Sequence, residues 1–477
     1  MRKVLLTAMV SVMAICLGCQ PSLPEKCDGG AKDKTTKCCD HDHGSKHDHD
    51  HGSTCGHDHD TKCDHDHGAA KAKEASTISP ELKEKAIARI KEIQGTYVEK
   101  DGAIVEVDIM NKSFDPADVE LIAQLSDVVK LSISSPSVND ENFALLSKMP
   151  KLQTLNMLNC GITDEGLKSV PNFPALKALN LRGCASMTDA GMVDVAKAPK
   201  LDNLALLYTK IGDEGVIALK GMKLRALDLR GLKLTGSACQ ALAEMTTLES
   251  LKLRNAREIM DYPFQELKTL VNLKSLSLED LAITDSALEI LPNFTNLKEL
   301  VIMRTDMMDV SPIKELKNLK KLTLREMTCD LDFLSEMPQL EELFFAESIV
   351  RDEDMKFFEG LVNIKTLDLW NTQLGDEALK LFGTMPKLTT LNIKNCANIS
   401  DAGIADLAKS QSLTSLNMSE NGKKTGDNGE PLMSNKALES LKDCKSLKEL
   451  NVYLCPSLTE DAINDFIKAR PDVNVIK

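Results

Sequence analysis

A motif that returns about every 24 residues limits what this chain can fold into more than any other feature. The unit is plainest at Leu152, Leu155, Met157, Cys160, Ile162, Thr163, Asp164, Gly166 and Leu167, and it comes back as Leu176, Leu179, Leu181, Cys184, Met187, Thr188, Asp189 and Gly191. Later copies begin at Leu201, Leu224, Leu248, Leu273, Leu297, Leu319, Leu340, Ile364, Leu388, Leu413 and Leu447, with weaker ones near Ile104, Val128 and Val473. One such unit has room for a short strand and a helix but cannot bury its own apolar face, so stacking is what makes an array of them stable. Alternating apolar positions give a parallel strand with its Leu side chains inward. The Thr-Asp pair then starts a helix: Thr163 or Thr188 can accept orphan N–H groups, and the following acid suits the positive helix end. Leu167 and Met192 face back to the core. Aromatics are only 4% of the chain, with the single Trp at Trp370, and a stacked core of Leu, Ile, Val and Ala fits that scarcity.

These residues resemble the leucine-rich-repeat family, specifically its cysteine-containing subtype, found in F-box substrate receptors and in bacterial exported proteins. The resemblance covers about four-fifths of the chain. It implies an α/β solenoid, a horseshoe with a concave parallel β-sheet and convex helices, over residues 104–477. A helical segment near Pro80 to Gln94 reads as an N-terminal cap, placed at residues 80–103.

The first 18 residues read as a signal peptide. A basic start at Arg2 and Lys3 precedes an apolar run from Val4 to Leu17, too short for a spanning helix with normal flanks, and then Gly18-Cys19-Gln20. Gly before Cys resembles the bacterial lipoprotein signal, in which Cys19 would be acylated and become the first mature residue. The chain departs from that pattern at Cys16, where the family prefers Leu. By the same resemblance, Gln20 rather than Asp after the Cys favours the outer membrane. The expected location is the cell envelope, with periplasmic or secreted protein as the alternative.

Residues 19–79 form a tether that should be disordered, because from Glu25 to Thr77 there is no Leu, Ile, Val, Met, Phe, Tyr or Trp to offset ordering entropy. About 60 flexible residues would span roughly 40 Å. The stretch Cys39 to Gly44 recurs identically as Cys63 to Gly68. All nine His of the chain lie here, at His41, His43, His47, His49, His51, His57, His59, His65 and His67, with Cys38, Cys39, Cys55 and Cys63 among them. Imidazole and thiolate are the ligands that borderline and soft metals prefer, and the interleaved Asp can bind directly or orient an imidazole. Zn, Cu or Ni ions are the expected cofactors of the tail, and none is expected for the repeats. Affinity should fall below about pH 6, where imidazoles protonate. Disulfides could compete for the exported thiols.

Net charge is −14, which argues against a nucleic-acid partner held by phosphate neutralisation. No His follows His67, so the repeats lack the commonest general base, and no enzyme is expected. Asp164, Asp189, Asp213, Asp285, Asp376, Asp401 and Asp461 sit at helix starts and read as capping residues. Cys160, Cys184, Cys396 and Cys455 read as structural thiols in the turn after the strand. The stretch Asn421 to Gly429 reads as a surface loop.

Binding should use strand residues that do not point inward. The column just after the second inward residue runs Leu158, Arg182, Leu207, Arg230, Arg254, Glu279, Met303, Arg325, Ala346, Trp370, Lys394, Ser419, Tyr453. Its bases and aromatics, extended by Lys252, Lys321 and Phe344, mark the expected docking stripe. The repeats at Leu297 and Leu319 are short and lack the Thr-Asp pair, so curvature should change there. The expected function is an exported, lipid-anchored interaction module that binds a protein or a surface polymer, with a metal-chelating tail. One alternative is a metal-handling lipoprotein that uses the repeats as scaffold. A weaker one is an F-box-type substrate receptor.

Overall fold

Each repeat delivers one strand to a single sheet. The structure is a computed structural model that describes residues 78–427 and 429–477. The signal peptide, Cys19 and all the His and Cys metal-ligand candidates of the tail lie outside the described residues. The sheet has 17 strands among the described residues. The first, Thr96–Lys100, runs antiparallel to Ala103–Ile109. Every later strand pairs parallel with the repeat before it, as a chain folded in identical steps must.

Among the parallel pairs the register never slips; the one shift is in the antiparallel first pair, between Val98 and Glu99. Leu131, Leu155, Leu179, Leu204, Leu227, Leu251 and Leu276 form one continuous inward row that goes on through Leu300, Leu322, Leu343, Leu367, Leu391, Leu416 and Leu450. All are at most 2% exposed. Because side chains alternate across a strand, this inward row fixes which residues line the opposite, concave face.

The N-terminal helix runs Pro80–Glu92, capped by Ser79 and started by Pro80. Arg89 of this helix donates to both oxygens of Asp118 in the helix Pro116–Ala123, at 2.6 and 3.0 Å. The strand Thr96–Lys100 lies in the same stretch, and the sequence pattern gave no sign of it. Together they cover the first repeat's edge.

Convex elements are α-helices in most repeats, such as Asp189–Val195, Gly236–Ala243 and Asp401–Leu407. Over the middle they become 3-10 helices: Asp285–Asn293, Ser311–Glu315, Asp332–Glu336 and Asp352–Phe357. A 3-10 turn spans its length in fewer residues, which suits the short repeats at Leu297 and Leu319. The change is broader than those two repeats, because Asp285–Asn293 carries the Thr-Asp pair and a Pro at Pro292.

The helix-start aspartates do more than cap, which corrects the expectation for them. Asp164 occupies the first helical position, and Thr163 before it is the cap, accepting from the Glu165 N–H at 3.2 Å. The Asp164 carboxylate instead reaches the next repeat, where Thr188 donates its N–H at 2.7 Å and its hydroxyl at 2.6 Å. Thr188 makes no side-chain cap bond of its own, whereas Thr163 and Thr235 donate to the preceding Asp and accept a cap bond as well. The same clasp joins Asp140 to Thr163, Asp213 to Thr235, Asp261 to Thr284, Asp376 to Ser400 and Asp401 to Ser434. Asp189 and Asp285 hold only the next backbone N–H, of Gly212 and Met308, whereas Asp352 accepts from the backbone N–H groups of Gly375, Glu377 and Ala378. Asp461 sits exposed in the last helix, Glu460–Ala469.

A second ladder lies in the turn after each strand. Thr209 donates to Leu206 O at 2.8 Å and Ser348 to Leu324 O at 2.9 Å. Cys396 donates to Leu369 O at 3.2 Å and Cys455 to Met418 O at 3.1 Å. Asn421 belongs to this row rather than to a surface loop: it is 2% exposed and donates to Ile393 O at 2.8 Å. Such partners matter because a buried backbone carbonyl without one is costly. Among the described residues a single buried side-chain polar atom, Ser457 Oγ, lacks a partner.

Candidate binding surface on the concave sheet

The concave face carries three outward columns. In the strand Ala226–Arg230 these are Ala226, Asp228 and Arg230, each half-buried, while Leu227 and Leu229 are buried. The third column is the one the sequence singled out. Directly after it comes a residue in left-handed conformation: Asn159, Gly183, Tyr208, Gly231, Asn255, Asp280, Arg304, Glu326, Glu347, Asn371, Asn395, Glu420 and Leu454, all with φ between 51° and 79°. Only two are Gly, so the turn imposes strain of roughly 1–2 kcal/mol on each of the others. The turn also sets a fourth side chain beside the third column, and several of these are carboxylates.

Those carboxylates alter the meaning of the basic stripe. Arg254 Nε lies 3.0 Å from Asp280 and 3.7 Å from Glu279. Arg304, from the fourth column, meets Asp280 at 2.6 Å and Glu326 at 2.6 Å. Arg230 is clamped on Asp228, with Nη2 at 2.8 Å, and approaches Glu279 at 4.0 Å. Three guanidiniums thus lie over a concave carboxylate pair, Glu279 and Asp280, that is only 7% and 8% exposed. The Arg304 guanidinium, helped by Arg254 and opposed by burial, holds the Asp280 carboxyl below the usual range. Arg230 and Arg254, expected as free partner anchors, are therefore already occupied within the sheet.

Further along, Arg325 pairs with Glu347 at 2.7 Å and lies 5.1 Å from the Trp370 ring centre. Lys394 lies 5.7 Å from the same ring and pairs with Glu420 at 2.8 Å. Beneath them is Asp368, whose carboxyl is pushed up by burial while it accepts the Asn392 amide at 2.7 Å. Trp370 itself is half-buried, so its indole is oriented and still reaches solvent. Lys321 lies 5.4 Å from the Phe344 ring and pairs with Glu299 at 3.2 Å. Tyr453 is 52% exposed at the far end.

Two concave cations differ from the rest. Arg182 lies 5.7 Å from the Tyr208 ring, and neither it nor Lys252 has a carboxylate within ion-pair distance among the described residues. Near them the sheet has a hollow of about 220 Å³, lined by Ala178, Ala205, Ala226, Asn180, Asp228 and Lys252 with their neighbours.

Most of the repeat thiols are poor nucleophiles; the exception is Cys160, which the neighbouring Cys184 thiol holds below the usual thiol range while Cys184 itself is raised. Burial pushes Cys239 up to about 12, and it does the same to Cys329. Cys396 and Cys455 are likewise raised by burial. No group of three or more His, Cys, Asp or Glu that could hold a metal occurs among the described residues. None of their helices is long and apolar enough to cross a membrane.

The fourth column is what sequence reasoning missed. Its signal was present, since Asp280, Glu326, Glu347 and Glu420 each stand one place after a residue of the column chosen. Reading that next position as a concave one requires knowing that the turn is left-handed.

The chain is similar to a Listeria monocytogenes internalin (inlF), at 17% identity over 83% of this chain and 94% of that one, with a TM-score of 0.47. It is similar to a Leptospira interrogans LRR protein at 16% identity, over 75% and 92% of the two chains, with a TM-score of 0.41. A third likeness is to the Arabidopsis receptor kinase HAESA, solved in complex with the peptide hormone IDA and the co-receptor SERK1. Its identity is 18%, over 75% of this chain and 59% of that one, with a TM-score of 0.43. No curated protein matches the sequence. The model of the leucine-rich repeat region matches residues 151–445, more than half of the chain. With that match and an unbroken parallel sheet of stacked repeats, this chain belongs to the leucine-rich-repeat family.

Proposed function

We propose that this protein is an exported, lipid-anchored interaction module, of the cysteine-containing repeat subtype, that docks another protein on its concave face and catalyses no reaction. The observation that carries the reading is Trp370, half-buried on the concave face and oriented by Arg325 and Lys394. An indole fixed in this way loses little freedom on binding, which is the property of an interface anchor. Affinity capture from envelope extracts tests it, using the wild-type chain, Trp370→Ala and the convex control Lys380→Ala. The expected result is a partner retained by wild type and Lys380→Ala and lost by Trp370→Ala. Equal capture by all three overturns the reading. Export and anchoring rest on the residues around Gly18-Cys19. Radiolabelled palmitate should enter the wild-type chain in a bacterial host and fail to enter Cys19→Ala.

A second reading is favoured by the identical stretches at Cys39–Gly44 and Cys63–Gly68. In it the tail takes up Zn²⁺, Cu or Ni²⁺ ions through imidazole and thiolate, and the repeats hold it in place. Calorimetry of the reduced chain at neutral pH should give Zn²⁺ uptake that weakens when the nine His are replaced by Ala and disappears when Cys38, Cys39, Cys55 and Cys63 are replaced as well. No uptake by the wild-type chain ends this reading and leaves the docking one intact.

A further inference from the structure

The N-terminal half of the concave sheet differs chemically from the half that carries Trp370. In the first column, Ala178 and Ala226 flank Asn203, and in the second column Asn180, Ala205 and Asp228 lie side by side. Later repeats fill the same positions with Glu299, Lys321 and Glu342, and with Val301, Thr323 and Phe344. The three alanines therefore leave a hollow of about 220 Å³, space for one large apolar side chain.

The polar groups around it are unequally engaged. Asp228 is turned onto Arg230, the Asn203 amide onto Asp202 and the Asn156 amide onto Ser132. Asn180 accepts the Arg182 N–H at 3.1 Å through its oxygen, which leaves its amide as a donor. Lys252 borders the hollow on one side, and Arg182 follows Asn180 on the other. Arg230, Arg254, Arg304, Arg325, Lys321 and Lys394 all have carboxylate partners, but these two do not among the described residues. An apolar floor between two unpaired cations is complementary to an apolar side chain between two carboxylates.

The spacing sharpens this. Arg182 stands in the third column, three strand steps from Lys252 in the second, so the two backbone positions are about 16 Å apart at the ordinary strand separation and rise, and their long side chains narrow that gap. In an extended segment, residues i, i+2 and i+4 face one way, and the outer two are about 13 Å apart. We propose that this hollow and its two cations bind an extended protein segment of the form acidic–x–apolar–x–acidic. The apolar side chain enters over Ala178, Ala205 and Ala226, and the two carboxylates meet Arg182 and Lys252. The inference rests on the docking role of the concave face and names what one part of it recognises.

The test uses the full chain with ¹³C-labelled Ala methyl groups, observed by NMR. The probes are the blocked pentapeptides Glu-Ser-Leu-Ser-Glu, Lys-Ser-Leu-Ser-Lys and Glu-Ser-Ser-Ser-Glu. The first should shift the Ala178, Ala205 and Ala226 methyl signals saturably, and the other two should shift them far less. Arg182→Gln and Lys252→Met should each weaken the first probe about three- to fivefold, the scale of an exposed ion pair. The convex control Lys380→Ala should leave its binding unchanged. Unmoved alanine methyls, equal response to the Lys peptide, or full affinity in both cation variants overturns the proposal. Should the peptide fail here while partner capture still depends on Trp370, this inference falls and the docking reading survives. Urea midpoints of the variants separate lost binding from lost folding.

Discussion

Asp164 holds Thr188 of the following repeat by two hydrogen bonds, 2.7 Å from the backbone N–H and 2.6 Å from the hydroxyl. The contact turns a helix-start residue into a joint between repeats. In a solenoid each repeat touches only its neighbours, so a joint of this kind acts directly on interface free energy.

Asp164→Ala should therefore cost about 1–3 kcal/mol, the worth of hydrogen bonds to a charged group. Asp164→Asn keeps one oxygen acceptor for the N–H and should cost less. Asp461→Ala removes an exposed helix-start carboxylate that clasps no Thr or Ser among the described residues, and its effect should stay within about 0.5 kcal/mol. Urea unfolding followed by circular dichroism gives the order, and equal losses at Asp164 and Asp461 would contradict the clasp.

Charge in the middle of the concave face should make stability depend on pH. Arg304 and Arg254 hold the Asp280 carboxyl below its unfolded value, which is near 3.9. A carboxylate lowered in this way contributes stability that is complete above the unfolded value and lost as pH falls through the folded one. Asp280→Asn should thus be destabilised by about 1–3 kcal/mol at pH 7. The gap to wild type should hold down to about pH 5 and narrow as pH falls through the unfolded value and on through the lower folded one. A gap that does not change with pH would show that the loss comes from packing.

Gly183 and Gly102 both have positive φ, at 71° and 83°. An added Cβ at Gly183 would strike the Asn159 side chain, whereas at Gly102 it would meet nothing within 4 Å. Gly102→Ala should cost about 1 kcal/mol from conformation alone, and Gly183→Ala clearly more. Thermal midpoints of the two variants give the comparison.

Native thiol reactivity should divide by position. Cys239 and Cys329 are pushed up to about 12 by burial, so neither should form appreciable thiolate at pH 8. Brief iodoacetamide treatment of the reduced chain, mapped by mass spectrometry, should leave their peptides unmodified until urea is added. Rapid native labelling of Cys239 would mean that its repeat opens readily.

Metal uptake by the tail, on the second functional reading, should fall between pH 7.5 and 5.5 as imidazoles protonate near their ordinary value of about 6.5. Uptake equal at the two pH values would assign the binding to carboxylates instead of the nine His.

The period and the Leu rows were legible in the sequence because a strand and helix that must stack need apolar residues at fixed intervals. Leu152 to Leu167 already specified the inward faces, and with them the concave columns that hold Arg182, Trp370 and Tyr453. The fold class follows from those rows alone. The state of the cations could not be read in the same way. Arg254 and Arg325 look like any other bases in a column, and their partners Asp280 and Glu347 come from other repeats, brought alongside by a left-handed turn. The role of Asp164 was likewise hidden, because capping and clasping place Asp at the same helix start and differ only in which repeat the carboxylate faces. Sequence by itself determined the repeat, the inward rows and the location of every His. Tertiary structure decided which charges are already satisfied and which, at Arg182 and Lys252, have no carboxylate partner among the described residues, because ion pairing depends on distances between repeats that no single repeat encodes.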